Sequence, residues 1–391
     1  MNFVLFDGPF RNQLLPFTYT RPVADIRVGI LTIREKWEKM LGTTTTTITE
    51  DYLSRKWPFV EMSENIMINA SFLPTKSLQE QIVNLQQKQA IFDDDGEVIA
   101  FFALQDEEVD FQKCEKLDPV EKTIKIANTW DIFSKNAEAL QADFELLTET
   151  EVSAPIPKSN NVICAENIFL EEGAKVEYAS LNASAGPIYV GKDAEIMEGS
   201  LIRGPFALCE HSTVKLGAKI YGATTVGPHS KVGGELNNSV IFGYSNKGHD
   251  GFLGNSVLGE WCNLGADTNN SNLKNNYAEV RLWDYETEGF ARTGLQFCGL
   301  MMGDHSKCGI NTMFNTGTVV GVSSNIFGAG FPRNFVPSFS WGGSGGMTTY
   351  KTSKAFEVAE IIMKRRGIEF SEEDKSILEQ VFEDSKKFRR S

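Results

Sequence analysis

Residues 190–232 read VGKDAEIMEGSLIRGPFALCEHSTVKLGAKIYGATTVGPHSKV, and this stretch decides the fold. An aliphatic residue recurs at every sixth position: Val190, Ile196, Ile202, Leu208, Val214, Ile220, Val226 and Val232. The position four residues after each of these is small everywhere except at Phe206: Ala194, Ser200, Ser212, Ala218, Thr224 and Ser230. A period of six fits neither a helix nor the strand spacing of a β-sandwich.

The six-residue period has a simple geometric meaning. Alternate side chains of an extended strand point to the same face, so the fourth and sixth positions of each hexad both face inward. The aliphatic side chains then fill a core, and the small ones lie beside tight corners of the chain. Three hexads make one coil, and stacked coils bury a continuous core. The pattern therefore predicts a three-sided solenoid of parallel β-strands.

Interruptions of the hexads divide the chain further. The register breaks after Val232, resumes at Phe252, breaks again over residues 269–296 and returns from Met302 to Ile326. In a rigid solenoid such insertions become protruding loops, which commonly carry function. We predict an α/β domain over residues 1–153, the solenoid over residues 154–335 and C-terminal helices over residues 350–391.

Short patterns outside the solenoid predict individual elements. Residues 3–6 and 66–68 are apolar strand candidates, and the apolar spacing predicts helices over residues 28–41, 78–88 and 130–147. Strands that alternate with helices are typical of an α/β layer. The sequence Asp93-Asp94-Asp95-Gly96 favours a hairpin turn over a metal-binding loop, because the later ligands of a calcium loop are missing.

Composition excludes several classes of partner. The net charge is −14 and the basic residues form no stripe, which excludes binding to nucleic acid or to an anionic membrane surface. The sequence contains neither a membrane-spanning apolar run nor a signal peptide pattern. The six cysteines show no close pairing and are typical of reduced thiols, so we expect a cytoplasmic protein.

A motif with chemical meaning follows the first break. The chain reads Asn246-Lys247-Gly248-His249-Asp250-Gly251-Phe252-Leu253-Gly254 and then Asn263-Leu264-Gly265-Ala266. It resembles the acetyltransferase half of the bifunctional glucosamine-1-phosphate acetyltransferase/N-acetylglucosamine-1-phosphate uridyltransferase family. The resemblance implies a left-handed parallel β-helix of hexapeptide repeats that binds acetyl-CoA and assembles as a homotrimer.

The resemblance also implies roles for particular residues. His249 falls on the catalytic base, and Gly265 and Ala266 fall on the part that lines the coenzyme groove. Substrate contacts fall on four further residues: Lys247, Phe252, Asn263 and Asn272. A histidine suits the task because it titrates near neutral pH and can take the proton of an attacking amine. The alternative is an ordinary loop histidine. The other three histidines lie in regular hexads and are expected to face solvent or a subunit contact: His211, His229 and His305.

The N-terminus carries a second motif. Asp7-Gly8-Pro9-Phe10-Arg11 and the segment from Pro16 to Pro22 resemble the opening loop of sugar nucleotidyltransferases. The resemblance implies that Gly8 and Arg11, with Arg21 or Arg27, bind a nucleoside triphosphate, with Mg²⁺ if the domain is active. The family's Gly-Asp metal segment is replaced here by Asn69-Ala70, so no metal ligand is assigned. An inactive or regulatory domain is the alternative.

Together the two motifs imply a sugar-phosphate acetyltransferase and nucleotidyltransferase. The expected reactions are acetyl-CoA-dependent N-acetylation of glucosamine-1-phosphate and nucleotidyl transfer to a sugar-1-phosphate, giving UDP-N-acetylglucosamine or a related sugar nucleotide. Two alternatives remain open. One is a nucleotidyltransferase whose solenoid serves only assembly, and the other is a non-catalytic sugar-nucleotide-binding or scaffold protein.

Overall fold

A computed structural model describes residues 2–106 and 108–389. The chain forms two compact units. The first contains the residues up to Leu14, Thr20–Ile26 and Leu31–Asn128. The second contains Leu15–Tyr19, Arg27–Ile30 and the chain from Thr129 onward. Residues 129–153, which the sequence analysis placed in the first domain, therefore pack with the solenoid.

The first unit is a mixed β-sheet with helices. Its strands are β1 (Asn2–Phe6), β2 (Thr46–Ile48), β3 (Glu64–Asn69), β4 (Gln89–Phe92), β5 (Val98–Leu104) and β6 (Glu115–Leu117), in the order β2-β1-β3-β5-β4-β6. β1 pairs in parallel with both of its neighbours, whereas β5 runs antiparallel to β3 and β4. The turn at Asp93–Gly96 joins β4 to β5, as predicted, and Lys125 Nζ lies 2.6 Å from an Asp93 carboxylate oxygen.

Both helices of the first unit are shorter than predicted. α1 spans Ile33–Leu41, and Thr32 caps it through a reciprocal pair of hydrogen bonds with Glu35. The expected start at residue 28 is wrong because Gly29 has a left-handed φ of +76°, which a helix does not accommodate. α2 spans Lys76–Val83 and ends before the predicted residue 88, at Asn84.

The second unit contains the solenoid. Two helices precede it: α3 (Asp131–Ser134) and α4 (Asn136–Thr148). In chain order its strands are β7 (Asn161–Ile163), β8 (Ile168–Leu170), β9 (Lys175–Val176), β10 (Ser180–Asn182), β11 (Ile188–Val190), β12 (Glu195–Ile196), β13 (Leu201–Arg203), β14 (Phe206–Leu208), β15 (Thr213–Val214), β16 (Lys219–Tyr221), β17 (Thr224–Val226), β18 (Lys231–Val232), β19 (Glu235–Asn237), β20 (Val240–Ile241), β21 (Asn246–Lys247), β22 (Phe252–Gly254), β23 (Val257–Leu258), β24 (Asn263–Leu264), β25 (Asn269–Asn270), β26 (Arg281–Asp284), β27 (Gly289–Arg292), β28 (Leu300–Met302), β29 (Lys307–Cys308), β30 (Met313–Phe314), β31 (Thr318–Val320), β32 (Asn325–Ile326), β33 (Phe335–Val336), β34 (Ser340–Gly343) and β35 (Gly346–Thr349).

These strands form three long faces. The first face has six strands from β7 to β22, the second has nine from β8 to β33, and the third has ten from β9 to β35. Each strand pairs in parallel with the equivalent strand of the next coil, and only the β34–β35 pair at the end of the third face is antiparallel. The predicted fold class, an α/β region followed by a left-handed parallel β-helix with C-terminal helices, is confirmed.

The hexad pattern matches the interior of the solenoid. The aliphatic positions from Val190 to Val232 are at most 2% exposed, and the six small residues that follow them are buried as well. Val214 pairs with Val232 in the next coil, so one regular coil takes eighteen residues. The hydrophobic core continues to Ile326 and Val336.

The segments that interrupt the hexads form local structure. Within residues 269–296, β26 and β27 make an antiparallel hairpin. After the solenoid, α5 spans Thr352–Lys364 and α6 spans Glu372–Asp384, with Ser371 and Asp374 forming the predicted capping box. In the described residues, no helix is long and apolar enough to cross a membrane.

Candidate active site

His249 lies on the corner where the third face passes into the first, between β21 and β22. Its side chain is exposed, and within residues 2–106 and 108–389 no group forms a hydrogen bond with its imidazole. The corner depends on Gly251, which has a φ of +115°. A Cβ there would lie 2.2 Å from the Thr268 carbonyl oxygen, so only glycine fits. The corner therefore presents an unengaged imidazole to solvent.

Lys247 occupies the interior of the solenoid just before this corner. It pairs with Val232 of the preceding coil, at a position that is aliphatic in regular coils, and it is 1% exposed. Its ammonium group donates to the carbonyl oxygens of Gly233 at 3.2 Å, His249 at 2.6 Å and Asp250 at 3.2 Å. The expected contact between Lys247 and substrate does not fit this geometry, because all three ammonium donors are used inside the corner. Lys247 instead holds the backbone that carries His249.

Burial lowers the pKa of Lys247 to about 8, with the carboxylates of Asp250 and Asp267 acting in the opposite direction. In the unfolded chain lysine titrates near its ordinary pKa of about 10.4. Between these two values the unfolded state binds more protons than the folded state, so the free energy of unfolding rises with pH. We expect Lys247 to contribute a rise of about 1.5 kcal/mol between pH 8 and 9.5, measured by urea unfolding.

The variant Lys247→Met keeps the apolar stem and removes the ammonium, so its rise in stability with pH should be smaller by that amount. Lys307, whose pKa burial also lowers to about 8, acts equally in both proteins and cancels from the difference. The matched control is Lys175→Met, at an exposed position on β9, which should behave as the wild type does. Identical pH profiles for the wild type and Lys247→Met would refute the assignment.

A column of glycines runs along the same corner. Gly233, Gly248, Gly265 and Gly309 follow the inward residue of four successive coils on the third face. A Cβ on Gly248 would meet nothing within 4 Å, and one on Gly309 would come no closer than 3.6 Å to its neighbours. At Gly265 a Cβ would lie 2.5 Å from the Gly309 carbonyl carbon. The column beside His249 therefore presents only backbone at these four positions, which fits a thin ligand lying along the coils.

Ala266 follows Gly265 of the glycine column and lies one coil beyond His249, at the equivalent position. The turn around it stacks on that of His249, since Asp267 N donates to Asp250 O at 3.1 Å. In the described part of the chain the Ala266 N–H donates to no acceptor, so it can donate to an oxyanion. Ile310 continues the column and is 70% exposed, which adds an apolar wall. Neither Ile310 nor the glycine column was identified from the sequence, because the insertion hides their alignment with His249.

Phe252 and Asn272 lie together on the first face. A Cβ on Gly254 would lie 2.5 Å from the Phe252 ring and 2.8 Å from Asn272 Nδ2, so both side chains flank this glycine. Asn272 Nδ2 donates to Asn255 Oδ1 at 2.8 Å. Asn270, which sequence reasoning missed, binds both the N–H and the carbonyl of Gly254. These contacts build a rigid polar floor beside the corner.

Asn263 lies on the third face, two residues before Gly265. Its side chain is exposed, and it stands between Asn246 and Lys307 of the adjacent coils. The structure thus places His249, Gly265 and Ala266 on one corner, Asn263 on the face before it, and Phe252 and Asn272 on the face after it. Such a corner can hold the donor molecule of a group transfer along the glycines and the acceptor molecule over either adjacent face.

The remaining histidines lie on a different corner, between the second and third faces. Their rings stack with Tyr244 and Trp261 in a column whose successive centroids are 4.9, 4.9, 4.3 and 6.2 Å apart, in the order His211, His229, Tyr244, Trp261 and His305. Each residue of the column has a left-handed backbone, which the tight corner requires. His211 is exposed, and the other two are half-buried.

In the first unit, the loop after β1 meets the end of β3. A Cβ on Gly8 would lie 2.4 Å from Asn69 Oδ1, so the glycine permits this close approach. Asp7 accepts hydrogen bonds from Val23 N at 2.7 Å and Thr49 Oγ1 at 2.6 Å, and Arg11 Nε lies 3.2 Å from it. Burial raises the pKa of Asp7, although these hydrogen bonds and Arg11 act to lower it. The contacts of Asp7 with Val23, Thr49 and Arg11 therefore fix the position of this loop.

The three arginines expected at this loop are all buried. Arg11 donates to the Tyr52 hydroxyl at 2.9 Å, and Arg21 is 6% exposed in the same unit. Arg27 belongs to the second unit, where its guanidinium donates to the carbonyl oxygens of Phe242 and Ile30. The structure brings Gly8 and Arg11 together, but the donors of Arg27 are used for backbone packing and do not fit a nucleotide.

The residues near Gly8 do not fit a resident Mg²⁺. This ion prefers several carboxylate or water oxygens in octahedral geometry. Both carboxylate oxygens of Asp7 already accept hydrogen bonds, and Asn69 offers an amide where an acid is expected. Among the residues that the structure describes, no group of three acidic, cysteine or histidine side chains is arranged to hold a metal ion.

Comparison with known families links the N-terminal part of the chain to sugar nucleotidyl transferases. Residues 3–152 match the family model described as sugar nucleotidyl transferase. The match covers the loop with Gly8 and Arg11 as well as helices α3 and α4.

Curated relatives confirm the resemblance to the bifunctional enzymes. The chain is 27% identical over 204 residues to the bifunctional protein GlmU of Methanococcus maripaludis, covering 52% of this chain and 43% of that protein. It is 27% identical over 172 residues to the bifunctional sugar-1-phosphate nucleotidylyltransferase/acetyltransferase of Sulfurisphaera tokodaii, covering 43% of this chain and 40% of that protein. The chain thus spans less than half the length of each.

Solved structures show a looser likeness. The UDP-N-acetylglucosamine acyltransferase from Campylobacter jejuni is 15% identical, with a TM-score of 0.26, and the alignment covers 60% of this chain and 83% of that one.

Proposed function

We propose that the second unit transfers an acetyl group from acetyl-CoA to the amine of an amino-sugar phosphate such as glucosamine-1-phosphate. The observation that carries the proposal is the corner itself, where the exposed imidazole of His249 stands beside a column of glycines, two of which, Gly248 and Gly309, have open space beside them. The names of the bifunctional relatives support the same reaction class. The product would enter the synthesis of UDP-N-acetylglucosamine or a related sugar nucleotide.

In this mechanism each group at the corner has one task. The His249 imidazole takes the proton of the attacking amine as the new C–N bond forms. The Ala266 N–H stabilises the negative charge that develops on the carbonyl oxygen of the acetyl group. Asn263, Phe252 and Asn272 orient the sugar on the two faces beside the corner. The proton then passes to the departing thiolate of coenzyme A, which balances the reaction.

We further propose that the protein works as a homotrimer in the cytoplasm. Large apolar side chains are exposed along the first face and its corner, such as Leu201 at 53%, Leu216 at 67% and Ile310 at 70%. Exposed apolar side chains of this size support a subunit contact on this surface. All six cysteines are free thiols, which supports a reducing compartment.

A second candidate function belongs to the first unit and rests on the family match over residues 3–152. It is nucleotidyl transfer to a sugar-1-phosphate, with Gly8, Arg11 and the buried Arg21 as the residues that bind the triphosphate. Because Asp7 and Asn69 do not fit a resident Mg²⁺, any metal in this reaction would arrive with the nucleotide. A unit that binds the nucleotide without reaction is the alternative.

One assay separates these functions. The purified protein is incubated with acetyl-CoA or a nucleoside triphosphate over a panel of sugar phosphates, and free thiol and pyrophosphate are measured. We expect thiol release only with acetyl-CoA and an amino-sugar phosphate. Pyrophosphate alone would support nucleotidyl transfer with a purely structural solenoid, and the absence of both products would support a binding or scaffold protein.

A further inference from the structure

A large cavity lies at the far end of the solenoid from its N-terminal coil. It has a volume of about 1160 Å³ and shares no lining residue with the His249 corner. Four segments that are distant in sequence build it: the β26–β27 hairpin, the loop with Arg333, the glycine-rich turn at residues 343–346, and the end of the chain at residues 387–389. This volume is sufficient for a nucleotide-sized ligand.

The walls of the cavity are strongly basic. Five cationic side chains and one carboxylate line it: Lys274, Arg281, Arg333, Lys387, Arg389 and Glu288. Glu288 forms an ion pair with Lys387 and is thereby neutralised. The cavity thus concentrates positive charge in a chain whose net charge is −14. Like charges gathered in one cavity repel one another, and an anion would remove that cost.

Two of these cations are available to a ligand. Arg389 is engaged by Phe382 O and Ser385 Oγ, and Lys274 donates to Glu279 O at 2.8 Å. In contrast, Arg281 and Arg333 are exposed and make no hydrogen bond or ion pair with any described residue. The nearby Glu279 carboxylate accepts a hydrogen bond from Arg292 and attracts Arg281 only at longer range, so the donors of Arg281 can bind a ligand in the cavity. Guanidinium groups bind phosphates through paired, charge-assisted hydrogen bonds.

Aromatic rings form another wall. Trp283 stacks on Phe335 with centroids 4.1 Å apart and an angle of 7° between planes, and Phe388 packs edge-on against both. Phe290 meets Trp283 edge-on and is 46% exposed, so one of its faces is open. An open ring beside free guanidinium groups suits a ligand that combines a planar base with phosphoryl groups.

We propose that this cavity binds a nucleoside diphosphate group, with the phosphoryl groups at Arg281 and Arg333 and the base at Phe290. The glycines at residues 343–346 let the backbone come close to the ligand, since Cβ atoms on Gly345 and Gly346 would meet nothing within 4 Å. Two sources could supply this group, a sugar nucleotide or the nucleotide end of coenzyme A. The proposal does not depend on acetyl transfer at His249.

Isothermal titration calorimetry of the full chain with UDP, dTDP and coenzyme A tests the proposal. Sites at the His249 corner or in the first unit would add their own binding, so we expect one site per chain to lose affinity at least tenfold in Arg281→Ala/Arg333→Ala. The control is Arg365→Ala/Lys386→Ala, which removes the same two charges from exposed positions outside the cavity and should bind as the wild type does. The variant Arg11→Ala, in the first unit, should keep this site and so separates it from any nucleotide site there.

The ring contact has its own test. Phe290→Ala should weaken binding of UDP several-fold and leave binding of inorganic pyrophosphate unchanged. The comparison uses only the binding that is lost in Arg281→Ala/Arg333→Ala. Tighter binding of UDP or dTDP than of coenzyme A in that component would identify a sugar nucleotide as the source, and the reverse order would identify the coenzyme; both support the site. Failure of all three ligands to bind at 1 mM, or an equal loss in the control double variant, would overturn it.

Discussion

Replacing His249 with alanine should reduce acetyl transfer at least about a hundredfold in kcat/KM, because a positioned general base contributes about 10² to 10⁴ in rate. The fold should survive the change. The imidazole is exposed and bonded to no described residue, so its removal leaves no buried group unsatisfied. Release of coenzyme A thiol measures the rate, and circular dichroism with size-exclusion chromatography measures the fold.

The matched control is His211→Ala, an exposed histidine on the corner between the second and third faces. It removes the same type of side chain from another corner of the solenoid. Its kcat/KM for acetyl transfer should stay within about twofold of the wild type, which is a change of less than about 0.5 kcal/mol in activation free energy. Unchanged turnover in His249→Ala, or an equal loss in both variants, would contradict the assignment of the base.

Replacing Asn136 with alanine should cause the largest loss of stability, about 3–5 kcal/mol in the free energy of unfolding. Its side chain is fully buried, and its amide accepts from Gly29 N at 2.7 Å and donates to Ala223 O at 2.8 Å and Thr225 Oγ1 at 3.1 Å. Alanine would leave Gly29 N and Ala223 O without this partner, each at a cost of about 1–3 kcal/mol, whereas the Thr225 hydroxyl would keep its bond to Gly29 O. Urea unfolding monitored by far-UV circular dichroism gives the difference.

Gln141→Ala is the control for this change. Gln141 lies on the same helix, is exposed, and bonds only to Glu145, so its loss should change the stability by less than about 0.5 kcal/mol. A similar effect of the two substitutions would mean that Asn136 does not anchor residues 27–30 and helix α4 to the solenoid.

The predicted helix over residues 28–41 missed the true start of α1, although the sequence carries a signal for it. The start of α1 is encoded by Thr32 and Glu35, whose spacing is that of a capping box, and Gly29 before them marks a break. The apolar spacing over residues 28–41 concealed this because Val28 and Ile30 are buried outside any helix. Local caps are therefore better guides to helix ends than apolar period alone.

No signal in the sequence indicated that the Lys247 side chain faces the interior of the solenoid. The motif around Lys247 resembles one in which the lysine contacts substrate. However, the coil from Val232 to Lys247 is three residues shorter than the regular coil before it. The shortening moves Lys247 onto the inward position and turns its ammonium to three carbonyl groups. Whether a side chain faces inward thus depends on the register of the coil, which an irregular segment leaves undetermined.

The amino-acid sequence alone determined the solenoid and its core residues, because a six-residue repeat is a local pattern that recurs in every regular coil. The candidate base came instead from the resemblance of the motif around His249 to a known family. Only the tertiary structure decided which side chains reach a common cavity. Arg281, Arg333 and Phe388 come from segments separated by insertions of irregular length, and no local period relates them. The same holds for Asn136 and Gly29, which are distant in sequence and meet because the backbone hydrogen bonds of a buried loop must be satisfied somewhere.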